Sequence, residues 1–151
     1  MLPVTNTLIQ QIAASNGVPW MLLKAVCIQE SSLNPWAVRY EPHYRYLYGK
    51  NLSPTETVGQ MTSFGVCQVM GAVAREHGFK GKYLTELCDP EIGLEYGARH
   101  LSKFYRLHGA WDRAISAYNQ GGPRVNEQGQ FQNQAYVDRV MSQWVRLEAS
   151  Q

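Results

Sequence analysis

The sequence lacks the features by which membrane proteins, exported proteins and nucleic-acid-binding proteins are usually identified. Its 151 residues contain no run approaching the ~18 apolar residues that span a bilayer. The first residues, MLPVTNTLIQQIAASNG, have neither the basic start nor the long apolar run of a signal peptide, so we do not expect export by that route. Charged residues make up 17% of the chain and the net charge is +2, which is too small to indicate nucleic acid as a partner.

Patterns typical of metal, cofactor and disulfide sites are also missing. The four histidines form no HExxH pair, and His100 and His108, two turns apart on one predicted helix, are expected to be solvated. No Gly-rich phosphate loop follows a predicted strand. The three cysteines, Cys27, Cys67 and Cys88, show no CxxC spacing, and we expect buried, reduced thiols. We therefore expect no metal, no cofactor and no cysteine nucleophile.

Most of the chain has the apolar periodicity and the end signals of helices, at a length that fits a single domain over residues 1–151. Helices are predicted from Thr5 to Ser15, from near Pro19 to Ser31 or Ser32, from Pro54 to about Met61, through Val66, Val69, Met70 and Val73 up to Gly78, from Asp89-Pro90 to Gly109, from Trp111 to Asn119, and from Ala135 to Glu148. Between Trp36 and Gly49 tyrosines alternate with polar residues, which predicts an extended or β-ribbon insertion with an exposed aromatic surface. The predicted fold class is mainly α.

Glu30 is the first candidate for chemistry. It follows Val26 and Cys27 by four and three residues, so it lies on the apolar face of the second predicted helix. Burial and the negative end of the helix dipole both disfavour the charged carboxylate, and a carboxyl group that stays protonated can act as a general acid. The alternative is a helix-end acid whose head group reaches water past Ser31 and Ser32.

Four segments, taken together, resemble a known enzyme family. They are ESSLNPWAV at 30–38, SFGVCQVM at 63–70, CDPEIGLEYGARHL at 88–101 and AISAYNQGGP at 114–123, followed by Tyr136-Val137. In this order and spacing, over roughly Thr5 to Val145, they are similar to the soluble (SLT-type) lytic transglycosylases of the goose-type lysozyme superfamily. The resemblance implies a lysozyme-like helical domain that cleaves peptidoglycan between N-acetylmuramic acid and N-acetylglucosamine. The stretch RYEPHYRYLY at 39–48 is similar to members encoded by bacteriophages.

The resemblance also implies roles for individual residues. Glu30 is expected to be the catalytic acid and base, and Tyr136 to lie at the edge of the site. Gly65 is expected to let backbone approach the sugar, and Gln68 to hydrogen-bond near the acid. Tyr118 and Asn119 are expected to face the acid and the acetamido group of the substrate. The structural alternatives are a turn glycine at 65, a solvated Gln68 and a Tyr118 that only fills the core.

Two features depart from the family pattern. Many relatives have a serine nine residues after the acid, where this chain has Arg39, which either takes over that role or pairs with Glu41. About 20 residues, 41–60, lie between the motif at 30–38 and the motif at 63–70, which follow one another directly in many relatives. The tyrosines of this insertion either line or cover the sugar groove, or the insertion only pads the fold.

Three functions are compatible with these residues. The first is a transglycosylase that cleaves glycan strands without water and leaves 1,6-anhydro-N-acetylmuramic acid ends. The second is a goose-type hydrolase, which needs another carboxylate, Glu41 or Glu56, at about 6.5–9.5 Å from the acid. The third is a non-catalytic cell-wall-binding or virion structural module. We expect a monomer that acts on peptidoglycan in the periplasm or at the cell wall, which it reaches by a holin, a phage particle or a secretion machine.

Overall fold

The computed structural model describes residues 3–151 and confirms a mainly helical fold with a small sheet. The helices are α1 (Asn6–Asn16), α2 (Trp20–Ser31), α3 (Pro54–Gln60), α4 (Gly71–Glu76), α5 (Pro90–His108), α6 (Trp111–Gln120) and α7 (Gln134–Ala149), with a 3₁₀ helix at Leu84–Cys88. The strands are β1 (Val38–Tyr40), β2 (Thr62–Phe64) and β3 (Val69–Met70). Within residues 3–151, none of the helices combines the length and apolar content that crossing a membrane requires.

Local chemistry explains where several of the helices begin or end. Side-chain oxygens accept hydrogen bonds from first-turn N–H groups at the start of α1, α3 and α5, and the residues that supply them are Thr5, Ser53 and Asp89. Glycines in the left-handed conformation follow α1, α5 and α6, at Gly17, Gly109 and Gly121. These signals are all visible in the sequence, and the predicted boundaries of these helices agree with the structure to within one or two residues.

The helix predicted through Val66, Val69 and Met70 is wrong over its first part. These residues lie in β3 and in the turn between β2 and β3, and α4 begins only at Gly71. The turn contains two residues with positive φ, Gly65 at +78° and Gln68 at +50°. A right-handed helix cannot accommodate such residues, so the apolar spacing reflects burial of a tight turn rather than a helical face.

The sheet is antiparallel in the order β1-β2-β3, and it joins the insertion to the rest of the fold. Val38 pairs with Phe64, and Phe64 in turn pairs with Val69. The predicted extended or β-ribbon insertion is confirmed: Val38–Tyr40 form strand β1, and the residues that follow up to Gly49 form a loop. The aromatic surface is present as predicted, since Trp36 is 67% and Tyr46 75% exposed.

The hydrophobic core lies where α5 packs against α1 and α6, and where α2 packs against α7. Its large, fully buried side chains include Leu22, Leu23, Val26, Leu94, Leu101, Ile115 and Val140. The three cysteines are buried and free, as predicted, and the sulfur atoms of Cys27 and Cys67 lie 2.9 Å apart. Because α2 enters the core with both leucines and Val26, its last turn carries Glu30 to the edge of that core.

The turn before β3 leads to a test of the fold. Gly65 and Gly17 both have positive φ, but a Cβ at Gly65 would collide with the Leu87 carbonyl oxygen, whereas one at Gly17 would meet no atom within 4 Å. Gly17→Ala should cost about 1–2 kcal/mol of unfolding free energy from backbone strain alone. Gly65→Ala should cost on the order of 3 kcal/mol or more, because overpacking adds to the strain. Chemical denaturation measures both values, and equal losses would contradict this account of the turn.

Candidate active site

Glu30 lies in the last turn of α2, partly buried, and its carboxylate is bound by a residue from the other end of the chain. The hydroxyl of Tyr136, in the first turn of α7, donates a hydrogen bond of 2.7 Å to Glu30 Oε2. Tyr136 itself is 6% exposed. The family resemblance implies for Tyr136 only a place at the edge of the site, but in the structure it is a direct partner of the acid.

The environment of Glu30 raises the pKa of its carboxyl group above the ordinary value. Removal of water around the group is the largest cause. The hydrogen bond from Tyr136 and the positive charge of Arg39 both lower the pKa, but they do not outweigh burial. The direction agrees with the sequence-based prediction, and a protonated carboxyl group is what a general acid requires.

The chain directly after Glu30 has a strained backbone that is tied to the β2–β3 turn. Ser32 and Leu33 have φ values of +55° and +63°, in the left-handed region that non-glycine residues rarely occupy. Ser31 Oγ lies 2.7 Å from the carbonyl oxygen of Val66, to which it donates a hydrogen bond. Sequence analysis missed this role of Ser31, although the serine directly follows the acid. The bond holds the end of α2 against the turn that carries Gln68.

Gly65 and Gln68 are both structural parts of that turn. Gln68 Nε2 donates hydrogen bonds of 3.0 Å to the carbonyl oxygens of Ala37 and Gly65, and not to Glu30. Gly65 is buried, and the Leu87 carbonyl occupies the space that a side chain would need. Contacts within the protein are therefore sufficient to require glycine at 65. The approach of this backbone to a sugar remains a prediction.

Tyr118 reaches the same turn from α6. Its hydroxyl donates a 2.6 Å hydrogen bond to the carbonyl oxygen of Cys67, one residue before Gln68. Burial raises the pKa of the Tyr118 hydroxyl well above its ordinary value, and the negative charges of Cys67 and Glu30, when these groups ionise, raise it further. Tyr118 is therefore a neutral hydrogen-bonding group that lies within the electrostatic reach of Glu30.

Asn119 is exposed, but its side chain is held in place by a second asparagine that sequence analysis missed. Asn133 Nδ2 donates to Asn119 Oδ1 at 2.9 Å and to the Ser116 carbonyl oxygen at 3.0 Å. Asn133 Oδ1 accepts a 2.7 Å bond from the Ser116 hydroxyl. Asn133 lies between the predicted helices at Trp111–Asn119 and Ala135–Glu148, in a polar segment where nothing in the local sequence distinguishes it from its neighbours.

A cavity of about 720 Å³ opens beside these residues. Gln68, Tyr118 and Asn119 line it, whereas Glu30 and Tyr136 lie outside its lining. Its volume falls within the range of about 300–1,000 Å³ that is usual for ligand pockets. The structure therefore places the five substrate-binding candidates in two neighbouring groups: Tyr136 with the acid, and the others with the turn and the cavity.

Glu41 and Glu56, the two carboxylates that the hydrolase hypothesis depends on, are each paired with an arginine. Arg39 Nε lies 3.0 Å from Glu41 Oε1, so these two residues form the pair that the sequence leaves open. Arg39 also acts on Glu30 through its charge. Glu56 forms a two-pronged ion pair with Arg75, at 3.0 Å to Nε and 2.9 Å to Nη2, which lowers the pKa of the Glu56 carboxyl group.

The prediction of a solvated His100 is wrong. His100 Nδ1 lies 3.0 Å from His77 Nε2, and the ring packs against Phe104 and Tyr118. Burial lowers the pKa of His77 to about 4 and that of His100 to about 3, so both imidazoles are neutral at physiological pH. His100 lies one helical turn before Phe104 on α5, a spacing that is compatible with a buried ring. Its partner His77, directly after α4, is brought to it only by the tertiary structure.

These elements define a class of protein: a helical, lysozyme-like domain with a partly buried acid of raised pKa beside a cavity lined by polar and aromatic side chains. The model of the Transglycosylase SLT domain family matches residues 7–138, most of the chain, and the protein belongs to this family. A comparison with curated proteins found no match. Membership of the family supports lytic transglycosylase activity and implies peptidoglycan as the substrate.

The raised pKa of Glu30 predicts how stability depends on pH. Between the ordinary value of 4.5 and the raised folded-state value, the folded protein binds more protons than the unfolded chain. Stability should therefore fall as pH rises through this interval and stay reduced above it. Glu30→Gln removes the titration, so the stability of this variant relative to wild type should increase across the same interval. Thermal unfolding of both proteins from pH 4 to 8 tests this, and a constant difference would contradict it.

The bond from Tyr136 predicts a further shift in the same pKa. Tyr136→Phe removes an interaction that lowers the pKa of Glu30, so the pKa should rise above that of the wild type. Tyr118→Phe is the matched control, because its hydroxyl bonds to the Cys67 carbonyl oxygen instead. A carbon-detected NMR titration of Glu30 in the three proteins measures the effect. An unchanged or lower pKa in Tyr136→Phe would show that the bond does not stabilise the carboxylate.

Proposed function

We propose that the protein is a non-hydrolytic lytic transglycosylase in which Glu30 acts first as an acid and then as a base. The observation that carries the proposal is the environment of Glu30, whose carboxyl group is partly buried, has a raised pKa and is bound by Tyr136 at 2.7 Å. Such a group is protonated over a wider pH range than an ordinary glutamate, yet Tyr136 and Arg39 stabilise its anion once the proton has left.

In the first step, Glu30 donates its proton to the glycosidic oxygen between N-acetylmuramic acid and N-acetylglucosamine. The bond from that oxygen to the anomeric carbon breaks, and the electron pair leaves with the departing N-acetylglucosamine hydroxyl. The acetamido oxygen of the muramic acid then closes on the cation-like anomeric carbon. Asn119 and Tyr118, which line the adjacent cavity, are suited to orient this group, and Asn133 holds the first of them in place.

In the second step, the Glu30 carboxylate removes a proton from the 6-hydroxyl of the same sugar. The 6-oxygen attacks the anomeric carbon and displaces the acetamido oxygen, which gives the 1,6-anhydro product and returns Glu30 to its acid form. A hydroxyl held within the same molecule can reach an effective molarity of about 10⁵ M or more, far above the roughly 55 M of water. One acid is therefore sufficient for both steps.

The ion pairs of Glu41 and Glu56 favour this route over hydrolysis. A hydrolase needs a second carboxylate free to activate water. Glu56 is committed to Arg75, and Glu41 is paired with Arg39. Glu76 is exposed and lines the cavity, so it is a third candidate for the carboxylate of a hydrolase. None of the three contributes to the shift in the Glu30 pKa.

A non-catalytic wall-binding or virion module is less well supported. Burial of a carboxyl group costs stability, and glycan binding alone does not require that cost. For the place of action we propose the periplasm or the cell wall, reached by a holin, a virion or a secretion machine. The basis for this proposed location is the substrate, because peptidoglycan is found there.

Glu30→Gln tests the proposal directly. The amide keeps the shape of the side chain but cannot donate a proton, so lysis of peptidoglycan should fall by about two decades or more. Mass spectrometry of wild-type digests should find 1,6-anhydro-N-acetylmuramic acid ends. Glu41→Gln and Glu76→Gln serve as matched controls and should remain active. Glu56→Gln should also cleave peptidoglycan. Thermal unfolding checks that this variant is still folded without the Arg75 pair.

Three kinds of result would overturn the proposal. Reducing muramic acid ends in the wild-type digest, or complete inactivity of a folded carboxamide control, would favour the hydrolase. Activity above a tenth of wild type in Glu30→Gln would remove Glu30 from the mechanism, and absence of any glycan cleavage by the wild-type protein would favour the binding module.

A further inference from the structure

The insertion at 41–60 contributes two tyrosines to the cavity beside the candidate active site. Tyr44 is partly buried and Tyr46 is 75% exposed, and both line the same cavity as Gln68, Tyr118 and Asn119. Their rings meet edge to face, with centroids 5.7 Å apart and planes at 78°. The two rings therefore form one aromatic surface, which we call the tyrosine platform.

The platform is fixed to the rest of the fold on both sides. On one side, the Glu41 N–H donates a 2.8 Å hydrogen bond to the carbonyl oxygen of Met61. On the other, Gln60 is 1% exposed and bonds both backbone groups of Tyr48, at 2.7 Å to its N–H and 2.9 Å to its carbonyl oxygen. The stretch that carries the two rings thus lies between two anchors. An insertion that only padded the surface would not need a buried glutamine for this purpose.

Gln60 is held in turn by the Glu56–Arg75 pair. Gln60 Nε2 donates a 2.8 Å bond to Glu56 Oε2, and Arg75 Nη1 donates to the carbonyl oxygens of Phe79 and Gly81. A chain of polar contacts therefore runs from the loop after α4 through α3 to the backbone next to the platform. Such ordering before binding reduces the entropy that a ligand would otherwise have to offset.

The chemistry of the cavity matches a glycan chain. A β-1,4-linked hexosamine ring presents axial C–H groups on its faces and polar groups at its edge. The cavity offers aromatic surface from the platform and from Phe104, and polar groups from Lys103, Arg124 and the site residues. Tyrosines combine a large apolar face with a hydroxyl and have few rotamers to lose, so they suit this kind of contact.

We propose that the tyrosine platform is a sugar-binding subsite for the glycan strand beyond the residues that react. This inference rests on the proposed function for the identity of the strand, and it assigns to the insertion a role in substrate length preference. The platform adds binding energy only for strands long enough to extend through the cavity. It takes no part in proton transfer, because neither tyrosine contacts Glu30 in the structure.

Binding to an inactive protein tests the platform separately from catalysis. In the Glu30→Gln background, Tyr46→Ala and the double change with Tyr44→Ala should weaken binding of long β-1,4-linked N-acetylglucosamine oligomers, by about threefold and tenfold respectively. Disaccharide binding should not change. Tyr48→Ala is the matched control, since Tyr48 is an exposed tyrosine of the same insertion, lies outside the cavity lining and bonds to Gln60 through its backbone. Tyr46→Trp keeps an aromatic ring at this position, so it should bind the long oligomers about as tightly as the protein that retains Tyr46.

In the active protein, Tyr46→Ala should raise KM for long glycan strands and leave kcat unchanged. Equal losses for short and long oligomers, or an effect of Tyr48→Ala as large as that of Tyr46→Ala, would overturn the platform. So would unchanged binding in the Tyr46→Ala protein. These outcomes are distinct from failure of the proposed function, which is decided by the products and by the activity of Glu30→Gln.

Discussion

The structure depends on holding one carboxyl group partly away from water at the end of a core helix. The apolar side chains of α2 bring Glu30 to the edge of the core, and Tyr136 from α7 binds it there. Desolvation raises the pKa of the acid, whereas the tyrosine and Arg39 limit the rise. Because these effects oppose one another, the folded protein can hold the Glu30 carboxyl group in either its protonated or its charged form. This balance allows one residue to give up and take back a proton.

The turn from Gly65 to Gln68 connects this acid to the cavity. It receives Ser31 from the end of α2, Tyr118 from α6 and the Gln68 amide from within the turn, all on backbone carbonyl groups. Gly65 and Gln68 have left-handed φ values at the two ends of this turn. Two parts of the chain that are far apart in sequence, the end of α2 and α6, thus bind one short segment, so a shift of the turn would alter both the acid and the cavity. The strained residues after Glu30 lie at the same junction.

Much of the fold was predictable because its signals are local. Side-chain caps at Thr5, Ser53 and Asp89, and the glycines after three helices, act on neighbouring backbone groups and are visible in the sequence. The prediction failed at Val66, Val69 and Met70, where apolar residues at helical spacing belong to a buried turn and strand. It also failed for His100, whose partner His77 is 23 positions away. Burial by a distant segment produces the same pattern as a helical face.

By itself the sequence determined the helical class, the end of α2 at the acid, the direction of the Glu30 pKa shift and the set of candidate residues. These depend on apolar spacing, on capping chemistry and on motif order, all of which are properties of the linear chain. Only the tertiary structure decided that Tyr136 binds the acid, that Arg39 pairs with Glu41 and that Asn133 holds Asn119. A hydrogen bond between residues 106 positions apart depends on how helices pack, and no short segment of sequence encodes that distance.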